Sequence, residues 1–261
     1  MLLAIDSGNT NTTFAVFDGD SVRGSWRTSR TQSWTADEYV VWLSQLMGLE
    51  GISKSDITGV VIANVVPDKA YDLDKLCRKY FGKPPLMVGD PKVELGVRSV
   101  IDNPEEAGAD RLVNALAAHR RYGGPLIVID FGTATTFDIV NSDGNHAGGV
   151  ISPGINLSLD ALYMAAAKLP SVAIARPRKA IGRSTVSAMQ SGLFYGYVGL
   201  IEGLVRRIKH EFETEIEPGC QMKVIATGGL APLFSEAIDE IEEIDSDLTL
   251  RGLLHIYHMN I

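Results

Sequence analysis

The sequence predicts an α/β protein made of two related halves, and three observations support this fold class. Strand-like apolar runs alternate with helical patterns along the 261 residues, which is typical of a mixed sheet covered by helices. One strand-turn-strand pattern occurs twice, and no linker or low-complexity segment separates the copies. We therefore expect two lobes, residues 1–120 and 121–261, each built around a central mixed sheet.

The first lobe begins with a predicted meander of three strands, followed by helices and strands in alternation. The meander strands are Leu2 to Ile5, Thr13 to Phe17 and Val22 to Arg27. Thr35 starts a helix, because Glu38 stands three residues later and completes a capping box. The later elements are a strand at 60–63, a helix at about 68–80, a short strand at 86–88, and a helix that begins at Asn103–Pro104, is interrupted at Gly108 and ends at Gly123–Gly124.

The second lobe repeats the opening pattern of the first. An apolar run, Leu126 to Ile129, leads into Asp130-Phe131-Gly132, as the first strand leads into Asp6-Ser7-Gly8. Aligning Asp6 with Asp130 also aligns Gly8 with Gly132, Thr12 with Thr136, and Val16 with Val140. This self-similarity predicts a duplicated supersecondary unit with two matching loops. A buried helix at 186–205 and a strand at 222–226, which ends in Thr227-Gly228-Gly229, are expected further along.

Composition and charge exclude several classes of protein. The net charge of −8 argues against nucleic-acid binding, which needs a basic surface. Cys77 and Cys220 lack metal-ligand spacing and indicate neither a zinc site nor a disulfide framework. The N-terminal run lacks the basic start of a signal peptide, and residues 186–205 contain too many polar residues and glycines for a membrane span. We expect a cytoplasmic protein with no nucleic-acid or membrane partner.

The loop from Asp6 to Thr13 has the residue types of a phosphate-binding site. Gly8 follows a strand directly, so the backbone can approach a ligand, and consecutive N–H groups of such a turn bind anions. Because a carboxylate does not bind phosphate, Asp6 is interpreted as a holder of Mg²⁺, directly or through water. The competing interpretation is a hairpin whose Asp and Asn only satisfy the turn, and the second copy of the loop disfavours it.

Gly108-Ala109-Asp110-Arg111 is the candidate catalytic segment. Phosphoryl transfer needs a carboxylate that accepts the proton of the attacking hydroxyl, and Asp110 stands beside two small residues that leave room for a substrate. Arg111 offers a planar set of donors to a carboxylate or phosphate. On chemistry alone, a helix-start aspartate and a solvated arginine explain the two residues equally well.

The paired Asp-x-Gly loops resemble the phosphate clamp of the superfamily that includes actin, sugar kinases, acetate kinase and heat-shock ATPases. That resemblance implies an actin-like (ribonuclease H-like) fold in both lobes and an ATP cleft between them; Thr227-Gly228-Gly229 is similar to its adenosine motif. An ordered set of motifs resembles type III pantothenate kinase, which opens coenzyme A biosynthesis in many bacteria. The motifs are Asp6-x-Gly8-Asn9-Thr10-Asn11-Thr12, Gly108-Ala109-Asp110-Arg111, Asp130-Phe131-Gly132-Thr133-Ala134-Thr135-Thr136, Gly148-Gly149-x-Ile151-x-Pro153-Gly154 and Ser191-Gly192.

This second resemblance implies ATP-dependent phosphorylation of pantothenate to 4′-phosphopantothenate. It implies that Asp110 is the general base, and that Asp130 coordinates a monovalent cation, potassium or ammonium, although the residues alone also allow a Mg²⁺-water role for Asp130. The implied substrate-binding residues are Gly108, Ala109, Asp110, Arg111 and Thr185. The implied ATP-binding residues are Asp6, Ser7, Gly8, Asn9, Thr10, Asn11, Thr12, Thr13 and Thr133. A homodimer is also implied, with a partner subunit packed on Gly192, Gly196, Gly199 and Gly203.

Two positions depart from the pattern of that family. Ile101 stands where many members have a tyrosine, and Ser184 stands where many have an asparagine before the threonine. The sequence therefore leaves two other functions open: a kinase of the same fold for another polyol or acid, and a nucleotide-dependent regulator. Asp110, Arg111 and the acidic net charge weigh against the regulator. The histidines show no catalytic spacing and are interpreted as structural or solvated; they include His119, His146, His255 and His258.

Overall fold

The computed structural model describes residues 1–29, 34–165 and 170–261, and within them the chain divides into two compact units. Unit 1 comprises Met1–Ala117 and Asp247–Ile261, and unit 2 comprises Ala118–Ser246. In chain order the elements are β1 (Leu2–Ser7), β2 (Asn11–Asp18), β3 (Ser21–Ser29), α1 (Ala36–Leu49), β4 (Gly59–Asn64), α2 (Ala70–Leu76), β5 (Leu86–Met87), α3 (Ala109–Tyr122), β6 (Leu126–Phe131), β7 (Ala134–Val140), β8 (His146–Pro153), α4 (Ile155–Ala165), α5 (Thr185–Glu211), β9 (Lys223–Thr227), α6 (Ala231–Ser235), β10 (Glu243–Ile244) and α7 (Leu248–Met259).

Unit 1 contains a five-stranded mixed sheet with the strand order β3-β2-β1-β4-β5. β1 is antiparallel to β2 and parallel to β4. The β1–β2 turn and the C-terminal end of β4 therefore lie side by side, at the C-terminal end of β1. The central strand is buried on both faces, because Leu3 and Ile5 pack with α1 and α2 while Leu2 and Ala4 pack with α3 and α7. The predicted strands are confirmed, and α1 has the predicted capping box of Thr35 and Glu38.

Unit 2 repeats this architecture with the order β10-β9-β6-β7-β8. β6 is antiparallel to β7 and parallel to β9, as β1 is to β2 and β4. One face of the sheet packs against α5, α6 and the residues that follow α6, through Ile127 and Ile129 on β6 and Phe194 and Ile201 on α5. The predicted α/β fold, with a mixed sheet in each half, is confirmed.

The C-terminal helix α7 packs with unit 1, which differs from the predicted lobe of residues 121–261. Its apolar residues Leu250, Leu253, Leu254 and Ile256 are buried in the cluster that covers one face of β1 and β4. The physical reason is burial: the face opposite α1 and α2 is apolar, and α7 removes it from water together with α3. The sequence patterns did not indicate this helix, and the structure shows both the helix and the sheet that it covers.

The strand registers correct the alignment of the two repeats by one residue. Asp6 lies opposite Thr13, whereas Asp130 lies opposite Thr136. The first turn is closed by a hydrogen bond from Gly8 N–H to the Asn11 carbonyl, and the second by one from Gly132 N–H to the Ala134 carbonyl. The second turn is therefore one residue shorter, and the structural counterpart of Thr136 is Thr13 rather than Thr12.

The segment before the candidate catalytic residues also differs from the prediction. Only a short 3₁₀ turn, Pro104–Glu106, follows Asn103, and Ala107 is extended. Helix α3 begins at Ala109 and runs without interruption to Tyr122. No helix in the described ranges combines the length and the apolar character needed to cross a membrane.

Candidate active site

The first loop follows β1 at the edge where β1 and β4 both end. Asn9 and Thr10 at its tip are exposed, and Asp6 and Thr13 are half-buried on one face of the sheet. Ser7 and Thr12 point to the opposite face and are fully buried. Of the predicted ATP-binding residues, those at the tip are exposed to solvent, while Ser7 and Thr12 lie beneath the loop.

Two residues that the sequence did not indicate hold Thr12 in place. Lys69 Nζ donates to Thr12 Oγ1 at 2.8 Å, and the Tyr39 hydroxyl is hydrogen-bonded to Thr12. Burial raises the pKa of Tyr39, so this phenol is neutral at neutral pH. Lys69 follows β4 in the sequence, and its ammonium group brings a positive charge to the base of the loop. No sequence motif links these residues to the loop, because Lys69 and Thr12 are 57 positions apart.

The second loop follows β6 in unit 2 and contains Asp130 and Thr133. Asp130 is half-buried and Thr133 is exposed. Phe131 anchors the loop by stacking on Phe234, with ring centroids 5.4 Å apart and planes 3° apart. Beneath the loop the hydroxyl of Thr135 is hydrogen-bonded to that of Tyr197. This repeats the contact of Thr12 with Tyr39, so both loops rest on a buried threonine-tyrosine pair.

Two glycines allow the backbone to pack closely around the second loop. A Cβ atom at Gly154 would lie 2.2 Å from the Thr133 carbonyl oxygen. Gly228 has a positive φ of 91°, and a Cβ there would lie 2.7 Å from both Asp130 Oδ1 and Phe131 N. Side chains at these positions would displace the loop. The Pro153-Gly154 and Thr227-Gly228 motifs therefore shape the surroundings of Asp130.

Asp110 lies in the first turn of α3, in unit 1. Its Oδ1 accepts a hydrogen bond from Arg111 N–H at 2.8 Å. A Cβ at Gly108 would lie 2.6 Å from the same oxygen, so the carboxylate packs directly on the glycine. The N-terminus of a helix favours the ionised form of a carboxyl group, which is the form that accepts a proton. Asp110 and Arg111 are both half-buried.

Thr185 is the first residue of α5 and lines a groove of about 900 Å³ in unit 2. The groove is also lined by Ser158 and Leu162 of α4 and by Arg183 and Met189. Ser184 is the N-cap of α5 and accepts a hydrogen bond from Ser187 N–H. Serine and asparagine cap helices about equally well, so the departure at Ser184 preserves the start of the helix.

The predicted site residues therefore fall into four local groups. Unit 1 contains the loop Asp6–Thr13 and the segment Gly108–Arg111, and unit 2 contains the Asp130–Thr133 loop and Thr185. His146, which the sequence predicts to be structural or solvated, is fully buried against Asp138.

Each loop contains one aspartate, Asp6 or Asp130, and carboxylate oxygens are a preferred type of ligand for hard cations. Among the described residues no group of three or more His, Cys, Asp or Glu side chains is arranged to hold a metal ion. A cation at Asp6 or Asp130 would therefore take its remaining ligands from hydroxyls, carbonyls, water or phosphate oxygens. Mg²⁺ in nucleotide sites is held in this way, by one or two carboxylates together with phosphates and water.

Comparison with known proteins identifies the family. Residues 2–207 match the family model described as type III pantothenate kinase. The type III pantothenate kinase of Paramagnetospirillum magneticum strain AMB-1 is 64% identical, over 100% of this chain and 98% of its own length. That of Rhodospirillum rubrum is 62% identical, over 100% of this chain and 99% of its own length. This chain belongs to the type III pantothenate kinase family.

Solved structures support the same fold. A Campylobacter jejuni protein assigned to the Baf family of transcriptional activators superposes with a TM-score of 0.60 at 20% identity, over 99% of this chain and 98% of its own. The activator of 2-hydroxyisocaproyl-CoA dehydratase from Clostridium difficile, solved with bound ADPNP, has a TM-score of 0.51 at 14% identity, over 98% of this chain and 93% of its own. At these identities the likeness concerns the fold alone, and it confirms the actin-like architecture predicted from the two loops.

Family membership makes this chain a phosphotransferase. Its reaction is the ATP-dependent phosphorylation of pantothenate, a step of coenzyme A biosynthesis, as the ordered motifs predicted. The full-length match to curated pantothenate kinases argues against the two alternative functions, a kinase for another substrate and a regulator.

Proposed function

We propose that Asp110 is the general base of this pantothenate kinase. The observation that carries the proposal is the position of Asp110 in the first turn of α3, packed on Gly108 and next to Arg111. Asp110 accepts the proton of the substrate hydroxyl while that oxygen bonds to the γ-phosphorus of ATP. The bond from the γ-phosphorus to the bridging oxygen breaks, and ADP leaves with the electron pair. Gly108, Ala109, Arg111 and Thr185 bind pantothenate, and Arg111 pairs with its carboxylate.

The first loop binds the ATP phosphates in this proposal. Gly8, Asn9, Thr10 and Asn11 present N–H, amide and hydroxyl donors at the exposed turn. Asp6 and Thr13 flank these donors. Ser7 and Thr12 lie beneath the loop and support it through the strand pairing, and Lys69 holds Thr12 by a hydrogen bond.

The second loop holds ATP through Thr133 and a monovalent cation, potassium or ammonium, through Asp130. Mg²⁺ is held at Asp6, directly or through water. When bound, these cations offset the charge of the phosphates and of the transferring group. The fit rests on the half-buried carboxylates of Asp6 and Asp130. Because the reaction consumes ATP, we place the enzyme in the cytoplasm.

We also propose that the enzyme is a homodimer formed through α4 and α5. Leu157, Tyr163 and Met164 on α4 and Tyr195 on α5 are exposed large apolar side chains. A Cβ at Gly192, Gly196 or Gly199 of α5 would meet no atom within 4 Å. A helix with apolar side chains and a row of small residues fits the close approach of a second copy.

The catalytic assignment is tested by Asp110→Asn in a pantothenate-dependent ADP-release assay, with and without potassium. General bases contribute roughly 10²–10⁴-fold to rate, and we expect kcat to fall by about that factor. ATP affinity and far-UV circular dichroism should stay unchanged. Asp20→Asn, in an exposed hairpin turn, is the matched control and should keep full activity. Wild-type turnover in Asp110→Asn would remove Asp110 from the mechanism.

A further inference from the structure

Unit 2 contains a buried histidine–aspartate pair that the mechanism above does not use. His146 Nε2 lies 3.2 Å from Asp138 Oδ1, and both side chains are fully buried. The other carboxylate oxygen, Asp138 Oδ2, accepts a hydrogen bond from Thr136 Oγ1 at 3.1 Å. A buried carboxylate costs free energy unless hydrogen bonds satisfy it. Both oxygens of Asp138 therefore have a partner, and the cluster has a definite geometry.

Thr136 connects this cluster to the candidate cation site. Thr136 lies directly opposite Asp130 in the β6–β7 ladder, and Thr227 lies beside Asp130 in the β6–β9 ladder. All three side chains are on one face of the sheet, because their neighbours Ile129, Phe137 and Ala226 pack into the core on the other face. Asp130 is therefore flanked by a hydroxyl on each side.

The hydrogen bond to Asp138 fixes the direction of the Thr136 hydroxyl. A hydroxyl has one proton and two lone pairs. The proton points to Asp138 Oδ2, so the lone pairs of Thr136 Oγ1 point away from that carboxylate. They are therefore available to a group that binds oxygen lone pairs, such as a cation. A cation needs oxygen lone pairs, whereas a phosphate oxygen needs donors. The orientation of Thr136 thus favours a cation.

The corresponding place in unit 1 keeps the threonine opposite the aspartate but lacks the hydroxyl beside it and the supporting carboxylate, which supports a special role for these two groups. By strand register, Ala63 stands beside Asp6 where Thr227 stands beside Asp130. Thr13 corresponds to Thr136, and the residue two positions later is Ala15 rather than an aspartate. The two loops share their fold, so the additional oxygens at Asp130 are not needed to build the hairpin.

We propose that Thr136 and Thr227 are further ligands of the cation at Asp130, and that Asp138 and His146 are positioning residues for Thr136. The proposal rests on the proposed function of Asp130. The cation class is a weakly hydrated monovalent ion, because one carboxylate and neutral oxygens replace its water without the strict octahedral geometry that Mg²⁺ demands. His146 donates to Asp138 Oδ1, which holds the carboxylate for Thr136.

The first test measures cation binding directly, with Tl⁺ as a probe for K⁺ in ²⁰⁵Tl NMR, and compares it with the potassium dependence of turnover. Thr136→Val and Thr227→Val remove one hydroxyl each with little change in shape. We expect each to weaken Tl⁺ binding and to raise the potassium activation constant about tenfold or more. Thr136→Ser restores the hydroxyl and should restore the wild-type constants. Thr214→Val, at an exposed threonine, is the matched control.

A double-mutant cycle tests the positioning role. If Asp138 acts through Thr136, Asp138→Ala should raise the potassium constant in the wild type and add little in the Thr136→Val background. A structural role alone would lower the melting temperature equally in both backgrounds without this non-additivity. If Asp138→Ala does not fold, the Thr136→Val and Thr136→Ser pair still decides whether Thr136 is a cation ligand.

The outcomes separate this proposal from the one on which it rests. Wild-type cation constants in Thr136→Val and Thr227→Val would overturn the inference while leaving Asp130 as a cation ligand. A wild-type enzyme that binds no Tl⁺ would overturn both the inference and the cation role of Asp130. Pantothenate-dependent ADP release would still test Asp110 in that case.

Discussion

At the residue scale, Gly228 shows how a backbone position controls a functional loop. Its positive φ excludes most side chains, and the space that a Cβ would need is filled by Asp130 Oδ1 and Phe131 N. Gly219 also has a positive φ, of 82°, but its Cβ would meet no atom within 4 Å. Substitution of Gly219 therefore measures the free-energy cost of the backbone conformation alone. Substitution of Gly228 adds the free-energy cost of crowding between the new side chain and the loop.

We predict that Gly219→Ala lowers the free energy of unfolding by roughly 1–2 kcal/mol through its left-handed conformation. Gly228→Ala should lower it by about 1–3 kcal/mol more because of overpacking, and should raise KM for ATP as the loop shifts. Urea denaturation and steady-state kinetics measure the two effects. Equal losses in the two variants would show that the loop accommodates the methyl group.

Lys69 is the second residue whose importance comes from a tertiary contact. We predict that Lys69→Met raises KM for ATP by about tenfold or more, since hydrogen bonds from charged groups contribute about 1.5–3 kcal/mol. The variant loses both the hydrogen bond to Thr12 and the positive charge beneath the loop, and each loss weakens ATP binding. Lys54→Met, at an exposed lysine, is the control. An unchanged KM for ATP would contradict a supporting role of Lys69.

At the element scale, helix α5 combines a buried face with a row of glycines. Phe194, Tyr197, Ile201 and Val205 pack into the core of unit 2. Gly196 and Gly199 are exposed and have open space around them. Glycine inside a helix costs about 1 kcal/mol relative to alanine, so packing against a partner would explain its presence on that face.

We predict that Gly196→Leu and Gly199→Leu weaken self-association of the enzyme by at least about tenfold, because a large side chain prevents the close approach that small residues allow. Sedimentation velocity over a concentration series measures the change. Gly48→Ala, in α1, also has open space and should leave association unchanged while stabilising the fold by up to about 1 kcal/mol. Unchanged association in the leucine variants would exclude α5 from the interface.

At the scale of the whole molecule, the chain leaves unit 1 at Ala117 and returns to it at Asp247. The returning helix α7 buries Leu250, Leu253, Leu254 and Ile256 on the sheet of unit 1. Complete burial of such a side chain contributes about 1.5–3 kcal/mol. The four together contribute as much as the roughly 5–15 kcal/mol by which a domain is stable.

We therefore predict that truncation after Ser246 abolishes cooperative unfolding of unit 1 and leaves an aggregating chain. Thermal unfolding followed by circular dichroism, together with the soluble yield, measures this. Removal of Ile261 alone should have little effect, because its side chain is 79% exposed. A truncated protein with a wild-type melting temperature would show that α7 is dispensable for unit 1.

The sequence by itself determined the fold class, most of the elements and the family, because these depend on local patterns. Apolar periodicity specified the strands, Thr35 and Glu38 specified the start of α1, and the repeated Asp-x-Gly motif indicated the duplication. Such features follow from the preferences of neighbouring residues.

The tertiary structure decided which distant residues meet. The one-residue difference between the two turns, the return of α7 to unit 1, and the supports of Thr12 and Thr136 all depend on pairings across a sheet. A strand pattern identifies the two faces of a strand but not the register with its neighbour or the helix that covers it. Burial and hydrogen bonding between distant segments settle these choices, so they become visible only in the folded chain.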